Sequence, residues 1–148
     1  MRKLIIIAIF ILLVFAAFLL SFEYHFRSET KLKTLNINGK EIQVELADTV
    51  TKQTLGLSGR DSLPENQGML FLFSQPGYYS FWMKDMKFAL DIVWIANGQI
   101  IEISQNVQPQ DYQPPNSITP KEKVNIVLEI NAGQAQKLDM KVGDKIIF

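Results

Sequence analysis

The sequence predicts an α+β fold: a compact, mainly antiparallel, strand-rich domain with two short helices, preceded by one N-terminal transmembrane helix. Three observations carry this prediction. Residues Leu4 to Leu20 are seventeen consecutive apolar residues without a charge, polar group or proline. Two Asn-Gly dipeptides, at 38–39 and 97–98, each sit between β-compatible runs and mark hairpins, because both turn positions need positive φ. The remainder is a series of about seven short apolar runs separated by turn residues, the pattern of a hairpin-linked sheet.

At about 1.5 Å of rise per residue the N-terminal run approaches the ~30 Å of a bilayer's hydrocarbon, and Phe22 extends it. A helix lying on a soluble domain would show a polar stripe here. Arg2 and Lys3 precede the run, which suits a signal peptide or a signal-anchor. The end reads Ala16-Ala17-Phe18-Leu19-Leu20-Ser21-Phe22-Glu23, without an Ala-x-Ala site, and no cysteine follows for lipidation. These features favour a retained anchor, residues 1–22, over a cleaved signal. The basic leader places the N-terminus in the cytoplasm and the rest of the chain outside it, although Arg27, Lys31 and Lys33 dilute the bias. Residues 23–33 are charged and without period, a tether. The domain then spans 34–148.

Within the domain, Thr34 to Leu46 forms the first hairpin around Asn38-Gly39. Asp48 is placed to cap a helix over Thr49 to Leu57, ended by the glycines at 56 and 59. Gly68 to Phe73 is short and apolar enough for a strand buried on both faces. Pro76-Gly77 is expected to turn the chain, and Tyr78 to Met83 is again apolar and aromatic. Leu90 to Ala96 and Gln99 to Val107 form the second hairpin. Gln108 to Lys123 holds prolines 109, 114, 115 and 120 and is expected to be irregular. Val124 to Ile130 is a strand, Asn131 is expected to cap a helix near Ala132 to Leu138, and Lys145 to Phe148 is the final strand.

Composition excludes several classes of function. The chain has no cysteine, which removes disulfides, thiol nucleophiles and thiolate metal sites. The single histidine, His25, lies in the tether. From Thr34 onward there are ten basic and thirteen acidic residues. A mildly acidic domain outside the cytoplasm is a poor match for nucleic acid. No cofactor is implied. Met69, Met83 and Met86 near Trp82 raise soft-metal binding, but no histidine or cysteine joins them, and methionine commonly fills gaps in cores. No metal site is expected.

The sharpest candidates come from strand parity. Asp91 shares a face with Val93 and Ile95, and Glu129 shares a face with Val127 and Asn125. Both strands are apolar on both sides, so each carboxylate is expected at or near the core, paired with a cation or several donors. Arg60 and Lys84 are the candidate cations, Arg60 preferred for its planar fork. Such carboxylates serve either as structural ion pairs or turn caps, or as the polar floor of a pocket. Tyr78 to Met86 is the densest aromatic patch. At strand spacing Ser80, Trp82 and Lys84 would share a face, either a ligand surface or ordinary core with a snorkelling lysine. Ser80 and Lys84 are wrongly spaced for a helical Ser–Lys nucleophile pair.

Taken in order, Gly56-Leu57-Ser58-Gly59-Arg60, Leu63-Pro64, Gly68 to Phe73, Phe81-Trp82-Met83-Lys84, Leu90-Asp91-Ile92, Val127-Leu128-Glu129 with Ala132-Gly133, and Val142-Gly143-Asp144 resemble an uncharacterised family. It is the domain of unknown function one-hundred-and-ninety-two, and the likeness covers about residues 41 to 148. The resemblance implies a small, compact, strand-rich protein, often secreted or membrane-tethered, and marks Arg60, Trp82, Met83, Lys84, Asp91 and Glu129 as motif positions. It supplies no substrate.

Two functions fit these residues. One is a membrane-anchored extracytoplasmic binding module recognising an envelope component or a protein partner. The other is a carboxylate-dependent, hydrolase-like enzyme with Asp91 or Glu129 as general acid or base and Arg60 or Lys84 holding an anionic or carbohydrate substrate. A scaffolding role is the third possibility. The ligand-binding candidates are Arg60, Trp82, Met83, Lys84, Asp91, Glu129 and, from the Pro-rich stretch, Tyr112. That stretch either covers a groove floored by Trp82, Lys84 and the two carboxylates or is a stiff surface connection.

Overall fold

The structure, a computed structural model, describes residues 11–18 and 32–148. Residues 11–18 are helical (α1) and exposed. Most of the N-terminal run expected to span a membrane lies outside the described residues, as does the tether up to residue 31. Among the described residues no helix is long and apolar enough to cross a membrane.

The second unit of the chain is one seven-stranded sheet with short helices. In chain order it runs β1 (Leu32–Ile37), β2 (Lys40–Ala47), α2 (Val50–Leu55), β3 (Gln67–Gly77), β4 (Leu90–Ala96), β5 (Gln99–Val107), β6 (Val124–Asn131), α3 (Gln134–Lys137) and β7 (Ile146–Ile147). The spatial order is β5-β4-β6-β3-β2-β1-β7. Every pairing is antiparallel except β2 with β3. That parallel pair requires a crossover, and the connection 48–66, which contains α2, supplies it. The sheet curls until its edges meet. Gln99 bridges Lys145, the Ile146 N–H donates to the Gly98 carbonyl, and β7 also pairs with β1.

Both Asn-Gly turns form as the sequence predicts. Asn38 and Gly39 have φ of 53° and 77°, Asn97 and Gly98 of 52° and 74°. Side chains then divide by parity. Leu35, Ile42, Val44, Leu70, Val93, Ile95, Leu128 and Ile130 fill the concave side. Met69, Phe71, Ile92, Trp94 and Val127 face outward into a second core, closed by Leu57, Leu63, Met83 and Phe81. The outer face of β3, β4 and β6 is thus covered by loops, and those loops shape the site.

Several local expectations need correction. The cap of α2 is Thr49, whose hydroxyl accepts from the Lys52 N–H; Asp48 instead pairs with Lys52 at 2.8 Å. Pro76-Gly77 ends β3 in extended conformation rather than turning the chain. Gly133, in the left-handed region, precedes α3, while the Asn131 amide donates to the Leu63 carbonyl. Tyr78 to Met83 is not a strand. Its one β-bridge is Phe81 to Ile118, because it crosses the outer face instead of joining the sheet edge.

Candidate functional site

Strand register separates the two carboxylates that parity alone would join. Asp91 pairs with Ile130 and Glu129 pairs with Ile92. Paired residues share a face, so Asp91 lies on the concave side and Glu129 on the outer side. They do not form one cluster.

Asp91 is fully buried and serves the fold. One oxygen accepts the Asn106 N–H at 2.9 Å and the other accepts the Ala135 N–H at 3.0 Å. Asn106 has a positive φ of 52° beside an irregularity in the β4–β5 pairing, and Ala135 lies in the first turn of α3. A single carboxylate therefore pins a strand irregularity and a helix start, with backbone donors in place of the preferred cation.

Arg60 does not pair with Asp91. Its fork is taken by Glu45, Nη1 to Oε1 at 2.5 Å and Nη2 to Oε2 at 2.7 Å. The Glu45 carboxylate raises the Arg60 pKa. Glu45 was not anticipated, although its parity was readable: Ile42, Val44 and Leu46 alternate with it along β2. In register, Glu45 opposes Met69 and Met69 opposes Glu129. The two glutamates therefore lie in one row across the outer face with a methionine between them, and only the first is bonded to the guanidinium.

Glu129 is 5% exposed, and its carboxyl makes no hydrogen bond among the described residues. No fully buried side-chain oxygen there lacks a partner, so its oxygens border open space. That space is a cavity of about 220 Å³ with Glu129 in its lining. Burial pushes the carboxyl up to about 8, and the charge of Arg60 offsets only part of that effect. At neutral pH the group is mostly protonated, a neutral acid in an apolar chamber.

The cavity walls come from two segments. The crossover contributes Val50, Gln53, Thr54 and Gly56; β3 and the segment after it contribute Phe71, Phe73, Tyr79, Phe81, Trp82 and Met86. Gly56 has φ of 53°, and a Cβ there would stand 3.5 Å from Phe71 Cζ and 4.0 Å from Glu129 Oε2. Glycine at this position turns the chain and leaves the floor open. Phe71 and Phe81 meet edge to face at 4.9 Å, and Phe81 meets Trp94 the same way at 5.5 Å. Phe73 and Tyr79 stack at 3.6 Å, with the Tyr79 hydroxyl donating to the Gln75 carbonyl. These rings are held by one another, so the chamber is preformed.

Of the seven predicted site residues, Glu129 and Trp82 line this cavity, and Trp82 remains 46% exposed at its mouth. Met83 is buried core, its N–H donating to the Tyr112 carbonyl. Lys84 is exposed and uses its carbonyl to accept from Ser58. Tyr112 packs against the outer core. The Pro-rich stretch lies on the same face as Trp82 but roofs nothing. It braces the aromatic segment from behind through Ser80 to Thr119 and the Gln113 amide to the Met83 carbonyl. None of its residues is in the cavity wall, so the expected lid is a buttress. Val50, Gln53, Thr54, Gly56, Phe71, Phe73, Tyr79 and Phe81 were missed as site residues. The positive φ that Gly56 needs was the one local signal.

The fold and the motif order define a class, small proteins built on a seven-stranded curled sheet. The chain belongs to the family DUF192, described as an uncharacterized ACR, whose model matches residues 33–148. It is similar to a solved protein of unknown function from Novosphingobium aromaticivorans, with 30% identity, a TM-score of 0.74, and coverage of 82% of this chain and 89% of that one. It is also similar to a putative transcription regulator from Sinorhizobium meliloti, with 29% identity, a TM-score of 0.73, and coverage of 82% and 96%. None of the curated proteins matches it.

Proposed function

We propose that this protein is a membrane-anchored binding module whose extracytoplasmic domain takes a small group of an envelope component into the cavity over Glu129. One observation carries the reading. A preformed aromatic chamber holds one buried carboxyl with no partner of its own, which is the composition of a small-ligand site: apolar walls with few polar groups to fix orientation. The anchor reading is supported by the apolar run 4–20, its basic leader and the exposed apolar side chains of α1, such as Ile11 and Leu12.

The hydrolase reading with paired carboxylates has less support. Asp91 points to the other face with both oxygens bonded, and Glu45 is locked to Arg60. An anionic ligand is disfavoured too, because among the described residues no cationic side chain lines the cavity.

The binding reading is tested by titrating chemically varied small fragments into the full chain in nonionic detergent and following the Trp82 indole and Gly56 amide resonances. Ligands should move both, and Trp82→Ala should weaken them. Fragments that all map elsewhere refute the reading. For the anchor, carbonate-washed membranes should retain the chain and external protease should remove the domain. A soluble mature form beginning after residue 20 refutes it.

A further inference from the structure

We propose that the cavity selects a small organic ammonium ion, seated against the aromatic rings with the Glu129 carboxylate as its counter-ion. This rests on the binding reading above and names its ligand class.

Charge distinguishes the groups that face the space: Gln53, Thr54, Ser58 and Ser80 are all neutral. Gln53 already spends its amide on the Ala47 and Leu72 carbonyls, Ser58 donates to the Lys84 carbonyl, and Ser80 is engaged with Thr119. The carboxyl of Glu129 remains as the charged or chargeable group at the floor. The walls around it are Phe71, Phe73, Tyr79, Phe81 and Trp82. Ring faces attract cations through their quadrupole, most strongly when the cation has left water, and they attract anions not at all. A carboxyl beneath several rings therefore favours a positive guest with an apolar surface. Methylated or alkylated ammonium meets both demands, whereas a metal ion would find a single carboxylate among the cavity residues, beside neutral hydroxyls and one amide, with no histidine or cysteine.

A cation requires the ionised carboxylate. Below about pH 8 the group carries a proton, so binding expels one: the acid and the ammonium ion give the carboxylate–ammonium pair and a free proton. The charged groups that face Glu129 from the packed elements are Arg60, after α2, and through it Glu45 on β2. The hydroxyl of Tyr79, a wall residue, donates to the Gln75 carbonyl. Affinity for a permanently charged ammonium should rise about 50-fold between about pH 6 and about pH 8 and then level off.

The test is calorimetric and spectroscopic titration of the full chain, in nonionic detergent, with tetramethylammonium, with tert-butanol as an uncharged body of similar size, and with acetate. Tetramethylammonium should move the Trp82 indole resonance, release about one proton per ion at about pH 7, and bind more tightly as pH rises. Glu129→Gln should abolish binding, and Trp82→Ala, at an exposed wall position, should weaken it at least tenfold. Equal binding of tert-butanol, unchanged by Glu129→Gln, overturns the ammonium assignment and leaves a binding cavity. Silence of the cavity resonances toward all three probes overturns it as well. The binding reading then stands or falls on the fragment titration alone.

Discussion

Replacing Glu129 by glutamine should make this protein less sensitive to alkali, and the size of the effect follows from one buried proton. The carboxyl titrates near 4.5 in an ordinary setting and is pushed up to about 8 by burial in the folded chain. Between those values the folded state holds a proton that the unfolded chain has released. Stability contributed by a raised pKa is complete below the unfolded value and is lost as pH rises through the folded one. The loss from about pH 5 to about pH 9 is on the order of 4 kcal/mol. For a domain of this size that is roughly 10–15 °C in melting temperature. The exposed carboxylates of Asp48, Asp61, Glu65 and Asp139 are shifted downward by lysine partners. Their contribution is lost only as pH falls through their own lowered values, outside this window. Glutamine keeps the volume and carries no ionisable proton. Thermal melts of wild type and Glu129→Gln, taken in half-unit pH steps, should nearly coincide at the acid end and diverge upward, with the variant more stable above about pH 8. Parallel curves, or a wild type that stays more stable at the alkaline end, would refute the burial of an unpartnered acid.

The other carboxylate should behave in the opposite way. Asp91→Ala leaves two backbone N–H groups without acceptors and should cost roughly 3 kcal/mol in urea unfolding; Asp91→Asn should recover little, since an amide offers one oxygen to two donors. A variant as stable as wild type would remove Asp91 from its structural role. Arg60→Ala should cost about 2 kcal/mol, reduced from a fully buried pair because the guanidinium is partly exposed. In a double-mutant cycle with Glu45→Gln, a coupling energy near zero would show that the bidentate pair does not hold in solution. Gly68→Ala should cost about 2–3 kcal/mol, because its Cβ would meet the Glu129 carbonyl at 2.8 Å and Ile130 Cγ2 at 2.9 Å. Wild-type unfolding of that variant would refute the close approach of β3 to β6.

The strands were legible because their signals are local. Period-two patterning, Asn-Gly turns and proline clustering all act within a few residues, and parity correctly buried Asp91 and Glu129. The relation between those two residues was not legible. Parity assigns each residue a side of its own strand, and only the pairing of Ile92 with Glu129 decides which sides coincide. The Arg60 partnership failed for a related reason. Glu45 reaches Arg60 through the β2–α2–β3 crossover, and a parallel pairing leaves no turn signature of the kind that betrayed the hairpins. The aromatic segment misled because strand spacing was applied to a chain that crosses a sheet face. There, Phe81 is fixed by ring-to-ring contacts with Phe71 and Trp94 and by one bridge to Ile118, not by a place in the sheet.

The two faces of the sheet explain why one motif carboxylate is silent and the other available. On the concave side Asp91 is satisfied by the backbone it organises. On the outer side Glu129 stands in a row with Met69 and Ile92, where an apolar residue would pack at no electrostatic cost. An acid without a partner there lowers stability at neutral pH, by the same proton linkage that sets the alkaline melt. Consistency between local choices and the fold usually breaks where function requires it. The surrounding geometry has the same sense: α2 buries none of its residues against the sheet, Gly56 withholds a side chain from the floor, and the Pro-rich buttress holds the aromatic wall upright. Each of these keeps open a space that packing alone would close, and each leads to the carboxyl of Glu129.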